Sequence, residues 1–170
     1  MANETYSYIS GGILSTTASS YTFSNISTVY TDLKVIVCAR SNAGADSFRV
    51  TSNSTLVTYY NDLKEYDGAS YSAGYYAGSN ADFYGGVAFG GTQAANMFSF
   101  AEVNIGNYTS STHKAISAMQ GNTNNIVNSQ SMSFGGGQVG VTDPITSVTI
   151  SCSSPMVATS SFMLYGIKKF

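Results

Sequence analysis

Apolar and polar side chains alternate along much of this chain, in short runs closed off by Ser, Asn and Gly. A period of two sends successive side chains to opposite faces of a strand, so such runs predict half-buried β-strands. In Leu33-Lys34-Val35-Ile36-Val37-Cys38-Ala39-Arg40, one face carries Leu33, Val35, Val37 and Ala39. The other mixes Lys34 and Arg40 with Ile36 and Cys38. Ala101-Glu102-Val103-Asn104-Ile105 and Val148-Thr149-Ile150-Ser151-Cys152 alternate without a break. Phe162-Met163-Leu164-Tyr165-Gly166-Ile167 is apolar on both faces, which predicts a central, sandwiched strand. Tyr6–Ile9, Tyr21–Ile26, Phe48–Thr51, His113–Met119 and Ile126–Ser133 complete a set of about nine strands.

Helical periodicity is poor. Only Asn61-Asp62-Leu63-Lys64-Glu65-Tyr66 suggests a short turn of helix. Pro144 reads as a turn residue just ahead of a strand, and Gly135-Gly136-Gly137 as a turn. The glycine run lacks the strand, lysine and helix setting of a phosphate loop. Residues 67–91 are rich in Gly, Ala, Ser and Tyr and keep no strand period. They predict either a contact loop or an extra hairpin, with Tyr71, Tyr75, Tyr76, Phe83 and Tyr84 as candidate interface residues. The competing reading is that these rings cap one end of the core. Many short strands without helices indicate an all-β sandwich or barrel, and nothing divides residues 1–170 into more than one domain.

Composition shifts this picture toward assembly. Hydrophobic residues make up 43%, but charged residues only 9%, against roughly 25% in typical soluble domains. Ser, Thr, Asn, Gly and Tyr take their place, with 13 Tyr, 9 Phe and no Trp. A surface so poor in charge has little self-repulsion and is easier to tolerate when neighbouring proteins cover it. The net charge of −2 and the 7 Lys and Arg, dispersed except for Lys168-Lys169, give no footprint for nucleic acid. No apolar run is long enough to span a membrane, and Met1–Tyr8 does not resemble a secretory signal, so cytoplasmic synthesis is expected.

Chemistry finds little to build on. His113 is the one histidine, which precludes a histidine cluster. The acids are scattered except for Asp62, Glu65 and Asp67, whose spacing is not that of a calcium loop. No catalytic residue, metal ligand or cofactor site is expected. Cys38 and Cys152 each lie in an apolar run and read as small buried hydrophobes, with a disulfide between neighbouring strands left open. Asn25, Asn53 and Asn107 match the glycosylation acceptor pattern, as chance does in so polar a chain.

Thr22-Phe23-Ser24-Asn25-Ile26 is followed by Val29-Tyr30-Thr31-Asp32-Leu33 running on to Arg40. Glu102-Val103-Asn104-Ile105-Gly106-Asn107-Tyr108-Thr109 running on to Lys114 stands in the middle of the chain. Pro144-Ile145-Thr146-Ser147-Val148-Thr149-Ile150 and Met156 through Ile167 stand at its end. In this order the segments resemble the landmarks of a jelly-roll family of tailed-bacteriophage virion structural proteins. Arg49 to Tyr60, where that family carries a characteristic hairpin, fits only loosely, so no ligand role of the hairpin is carried over.

The resemblance implies one jelly-roll-like antiparallel β-sandwich of about eight to ten strands. It also implies a non-catalytic virion protein, foremost a capsid decoration or cement protein. Expected partners are the major capsid protein or other virion proteins and further copies of the chain, as a homo-oligomer that can be a trimer. The alternative is a head- or tail-fibre module that binds host glycans or neighbouring fibre subunits. Residue by residue, Tyr30 is expected to cover the sandwich edge, Asp32 to accept backbone N–H groups at a turn, and Gly166 to mark a bulge or a close backbone approach.

Overall fold

A computed structural model describes residues 5–43, 46–53, 57–66, 70–80, 83–88, 96–123 and 130–168. All regular structure among them is β. Strands β1 (Tyr6–Ile13), β2 (Ala18–Phe23), β3 (Asp32–Ala39) and β4 (Asp46–Ser52) open the chain. They are followed by β5 (Val57–Tyr66), β6 (Ser70–Asn80), β7 (Phe83–Ala88) and β8 (Ser99–Ile105). Strands β9 (Lys114–Thr123), β10 (Gln130–Val139), β11 (Val148–Met156) and β12 (Ser161–Ile167) close it.

The strands form two antiparallel sheets. The larger has eight strands in the order β1-β12-β3-β8-β9-β10-β5-β6, and the smaller has four in the order β2-β11-β4-β7. Setting aside the pairs β5–β6 and β9–β10 leaves the orders β1-β12-β3-β8 and β2-β11-β4-β7. That is the strand order of a jelly roll. The two extra pairs lie side by side and extend one sheet only. The expected sandwich is therefore present, with more strands than its alternation announced.

Two local expectations are corrected. Asn61–Tyr66 is not a helical turn but the second half of β5, paired on one side with β10 and on the other with β6. Gly135–Gly137 is not a turn but mid-strand, paired with Ser117, Ala118 and Ile116 of β9 and with Tyr60, Asn61 and Asp62 of β5. Ladder hydrogen bonds from both neighbours outweigh the local preferences of these residues. Within 67–91, residues 70–80 form the extra hairpin with β5, while 83–88 pair with β4 in the other sheet. Residues 67–69, 81–82 and 89–91 lie outside the described residues.

The core lies between the sheets. Leu33, Val35, Val37, Val103, Ile105, Phe162 and Leu164 point inward from the larger sheet to meet Phe23, Phe48, Val50, Val148, Ile150 and Met156 from the smaller. Tyr21 stacks on Phe162 across the interior at 4.5 Å. Gly166 lies under the ring of Tyr30, and a Cβ there would stand 2.2 Å from the ring. This is the close approach that the glycine permits, and it holds the half-buried Tyr30 against the core.

One end of the sandwich is tied by polar groups. The wholly buried Lys114 starts β9, and its Nζ donates to the carbonyls of Ser110, Val141 and Asp143, each at 2.8 Å. Burial depresses its pKa, opposed by the charge of Asp143. The hydroxyl of the buried Tyr108 donates to the carbonyl of Ser27. Asp32 Oδ1 accepts from the Asn107 backbone N–H at 2.7 Å, so its backbone partner belongs to the β8–β9 connection. Asn53 accepts from the backbone of Thr146 and Ser147 and donates to the carbonyl of Pro144. Asn25, Asn53 and Asn107 all have left-handed φ, a conformation that Asn tolerates well.

Replacing Lys114 with Met strands three carbonyls at the end of the core. Unfolding in denaturant is expected to show a loss of about 1–3 kcal/mol, the scale for leaving buried hydrogen-bonding groups without their partner. A loss below about 1 kcal/mol would mean that water replaces the ammonium at no cost.

Candidate functional site

Strand alternation gives the larger sheet a second face, turned away from the core. Backbone register lays this face out in rows. One row passes from Ile13 through Ser161, Cys38, Phe100 and Gly121 to Met132. The next passes from Gly11 through Met163, Ile36, Glu102 and Met119 to Phe134. A third runs from Tyr8 through Tyr165, Lys34, Asn104 and Ser117 to Gly136.

This face is unusually apolar. The exposed large apolar side chains among the described residues are Tyr6, Tyr8, Ile13, Val29, Phe100, Met119, Met132 and Phe134. All except Val29 belong to it. Ile13 is 70% exposed, and the Phe and Met residues of β8, β9 and β10 are 42–44% exposed. Single exposed hydrophobes need no explanation, but contiguous ones mark an interaction surface. The expected layer on each side of β12 is therefore half supplied: Phe162 and Leu164 are buried, while Met163, Tyr165 and Ile167 lie on the open face, partly exposed.

Where Met119–Gly121 of β9 pairs with Met132–Phe134 of β10, the usual pattern is inverted. Gln120 and Ser133 are buried, while Met119, Met132 and Phe134 face solvent. Local contacts organise the rest of the face. Tyr8 packs edge-on against Tyr165 at 5.7 Å, and a hollow beside them is lined by Gly11, Ile13 and Met163. Lys34 and Glu102 pair at 2.9 Å. Asn104 donates to the same carboxylate oxygen, and the Tyr6 ring lies 5.2 Å from the ammonium. Hydrogen bonding to Lys34 lowers the Glu102 pKa, and the same bond raises that of Lys34. At the end of the face, Asp32, Asn104, Asn107, Ser117 and Ile167 line an open hollow of about 430 Å³.

The aromatic residues singled out in the sequence lie on two strands of different sheets. Tyr71, Tyr75 and Tyr76 sit on β6, the edge strand of the larger sheet. Phe83 and Tyr84 sit on β7, the edge of the smaller one, opposite Val50 and Arg49. By register, Tyr71 follows Glu65 in the row of Met132, and Tyr75 follows Asn61 in the row of Gly136. Tyr76 pairs with Tyr60, one position out of step with these rows.

The potential chemical groups stay apart. His113 is exposed, its Nδ1 accepting from the Gln138 side-chain amide. Glu102 pairs with Met119, six residues along β9 from His113, or roughly 20 Å at the rise of a strand. Asp62 and Glu65 are three apart on β5 and so alternate between faces. Asp67 lies outside the described residues. Cys38 and Cys152 are free thiols in different sheets. Burial pushes Cys152 up to about 12 and also raises Cys38, which is half-buried on the outer face. Among the described residues, no group of three or more His, Cys, Asp or Glu side chains is placed to hold a metal ion.

Sequence reasoning missed the outer face. The available signal was Met132 and Phe134 alternating with Ser131 and Ser133, beside the already noted Ile36 and Cys38. Compared with known proteins, the chain matches no family model, no curated protein and no solved structure.

The ion pair on this face makes stability depend on pH. The depressed Glu102 pKa contributes stability above the ordinary carboxylate value of about 4.3, which is lost as pH falls through the lowered value. The raised Lys34 pKa contributes below about 10.4, and that share is lost as pH rises through the raised value. Glu102→Gln is expected to lower the melting temperature at pH 7, with the deficit shrinking as pH falls through the lowered Glu102 value. A deficit that stays constant with pH would assign the effect to packing.

Proposed function

We propose that this chain is a non-catalytic structural protein of a tailed-phage particle, foremost a capsid decoration or cement protein. It acts through protein contacts, with the outer face of its larger sheet meeting another virion subunit, whether the major capsid protein, another virion protein or a further copy of this chain. The observation that carries this reading is the concentration of exposed Phe, Met, Tyr and Ile side chains on that one face of a jelly roll. Fully burying an exposed side chain of this kind contributes about 1.5–3 kcal/mol, and the Phe and Met residues here, 42–44% exposed, still have about half of that to gain, so several together can anchor a contact. Repetition over many copies on a shell multiplies the effect. The segment order that resembles phage jelly-roll proteins supplies the biological setting, a virion assembled in the host cytoplasm.

The hollow lined by Asp32, Asn104, Asn107 and Ser117 favours a second reading. Polar side chains beside the carbon surface of Ile167 suit a sugar, as a fibre module binding host glycans would require.

Particles assembled with Phe134→Asp are expected to incorporate at least about tenfold less of the protein than wild type, measured by quantitative mass spectrometry. Val29→Asp, an exposed apolar position off the face, should incorporate normally. Equal incorporation of both variants would sink the assembly role of this face. Binding on a glycan array that is abolished by Asn104→Ala, with few copies per particle, would select the fibre reading.

A further inference from the structure

We infer that the outer face of the larger sheet docks against the same face of a second copy of this chain, giving a twofold dimer of four β-layers. This deepens the assembly reading above and rests on it for its biological setting.

The first support is layer arithmetic. Strand β12 is apolar on both sides, and β3 carries Ile36 and Cys38 opposite its core residues. Strands of this kind are built to lie between two layers. The chain supplies one of those layers. An identical sheet supplies the other with matching chemistry.

The second support is charge. From β1 to β10 the charged side chains in the three rows are Lys34 and Glu102, which neutralise each other at 2.9 Å, while Glu65 continues the row of Met132 on β5. A partner of strong opposite charge finds nothing there to read. A second copy meets a neutral, apolar surface without setting like charges against each other, and the chain's net charge of only −2 adds little repulsion at a distance. Because the contact is a face meeting itself, its symmetry is isologous, which fixes an even number of subunits. Trimer formation, expected from the sequence resemblance, requires a different surface.

The third support is size. At about 4.8 Å between strands and about 6.8 Å between side-chain rows, the six strands and three rows from β1 to β10 offer roughly 600 Å². Specific interfaces bury about 600–1,000 Å² per partner, so this face reaches the lower end of that range. Side chains that adapt well to such a contact are already present, since Met119, Met132 and Met163 carry flexible thioethers. Addition of a strand at the β1 edge is less favourable, because a register shift between Tyr8 and Ser10 distorts that edge.

The test uses the purified full chain. Sedimentation equilibrium is expected to give twice the 17.9 kDa chain mass, dissociating on dilution. Met119→Lys should raise the dissociation constant at least about thirtyfold, whereas Val29→Lys should leave it unchanged. Should Met119→Lys fail to fold, radical footprinting of the wild type decides. Met119, Met132 and Met163 should lose reactivity as concentration rises, with the buried Met156 as internal reference. A monomer at all concentrations, a trimer, or methionines equally reactive throughout would overturn the proposal. A monomer whose Phe134→Asp variant is still excluded from particles overturns the dimer and leaves the particle role standing. A dimer that never enters particles supports this inference and ends that role.

Discussion

An eight-stranded sheet has two faces, and among the described residues one of them meets a second sheet. That smaller sheet has four strands, and β7, its edge, crosses β9 and β10. This mismatch follows from adding the pairs β5–β6 and β9–β10 to the same side of a jelly roll. The inner face solves its solvation problem with a packed core of aliphatic side chains. The outer face leaves Phe, Met, Tyr and Ile against water, at a standing cost in apolar exposure.

Around that imbalance the rest of the molecule is firmly set. Buried polar groups have named roles at the end where β9 begins. An ammonium satisfies the carbonyls of Ser110, Val141 and Asp143, while Tyr108 satisfies Ser27. Asn53 ties the end of β4 to the approach to β11, and Asp32 ties β3 to the β8–β9 connection. These bonds join segments distant in sequence, so the connections that frame the outer face are held by side chains as well as by ladders. Such a platform presents a contact surface with little to reorganise on docking.

The sandwich was legible wherever one face was wet and the other dry. Leu33–Arg40, Ala101–Ile105 and Val148–Cys152 alternate because their strands meet the core on one side, and each forms a strand as the period requires. Legibility failed at β5 and in the glycine half of β10, whose start, Gln130–Ser133, fell within the expected strand Ile126–Ser133, the rest of which lies outside the described residues. Their pairing partners supply the order there, and Gly135–Gly137 or Asn61–Tyr66 carry no local trace of those partners. The outer face was hidden for a different reason. An inward Ser133 beside outward Met132 and Phe134 reverses the rule by which periodicity is assigned to a core. Gly166 and Asp32 were legible in type, a close approach and a backbone acceptor. Their partners, Tyr30 and Asn107, required the fold.

The internal neutrality of Lys34 and Glu102 has a consequence for the medium in which the surface works. Ions screen interactions between unpaired charges across a gap, and this face offers a partner very few of them. Whatever covers it is held mainly by exclusion of water from carbon and sulfur. Such adhesion changes little between dilute buffer and brine, and it weakens on cooling. A particle built on this contact would tolerate swings in salinity better than deep cold.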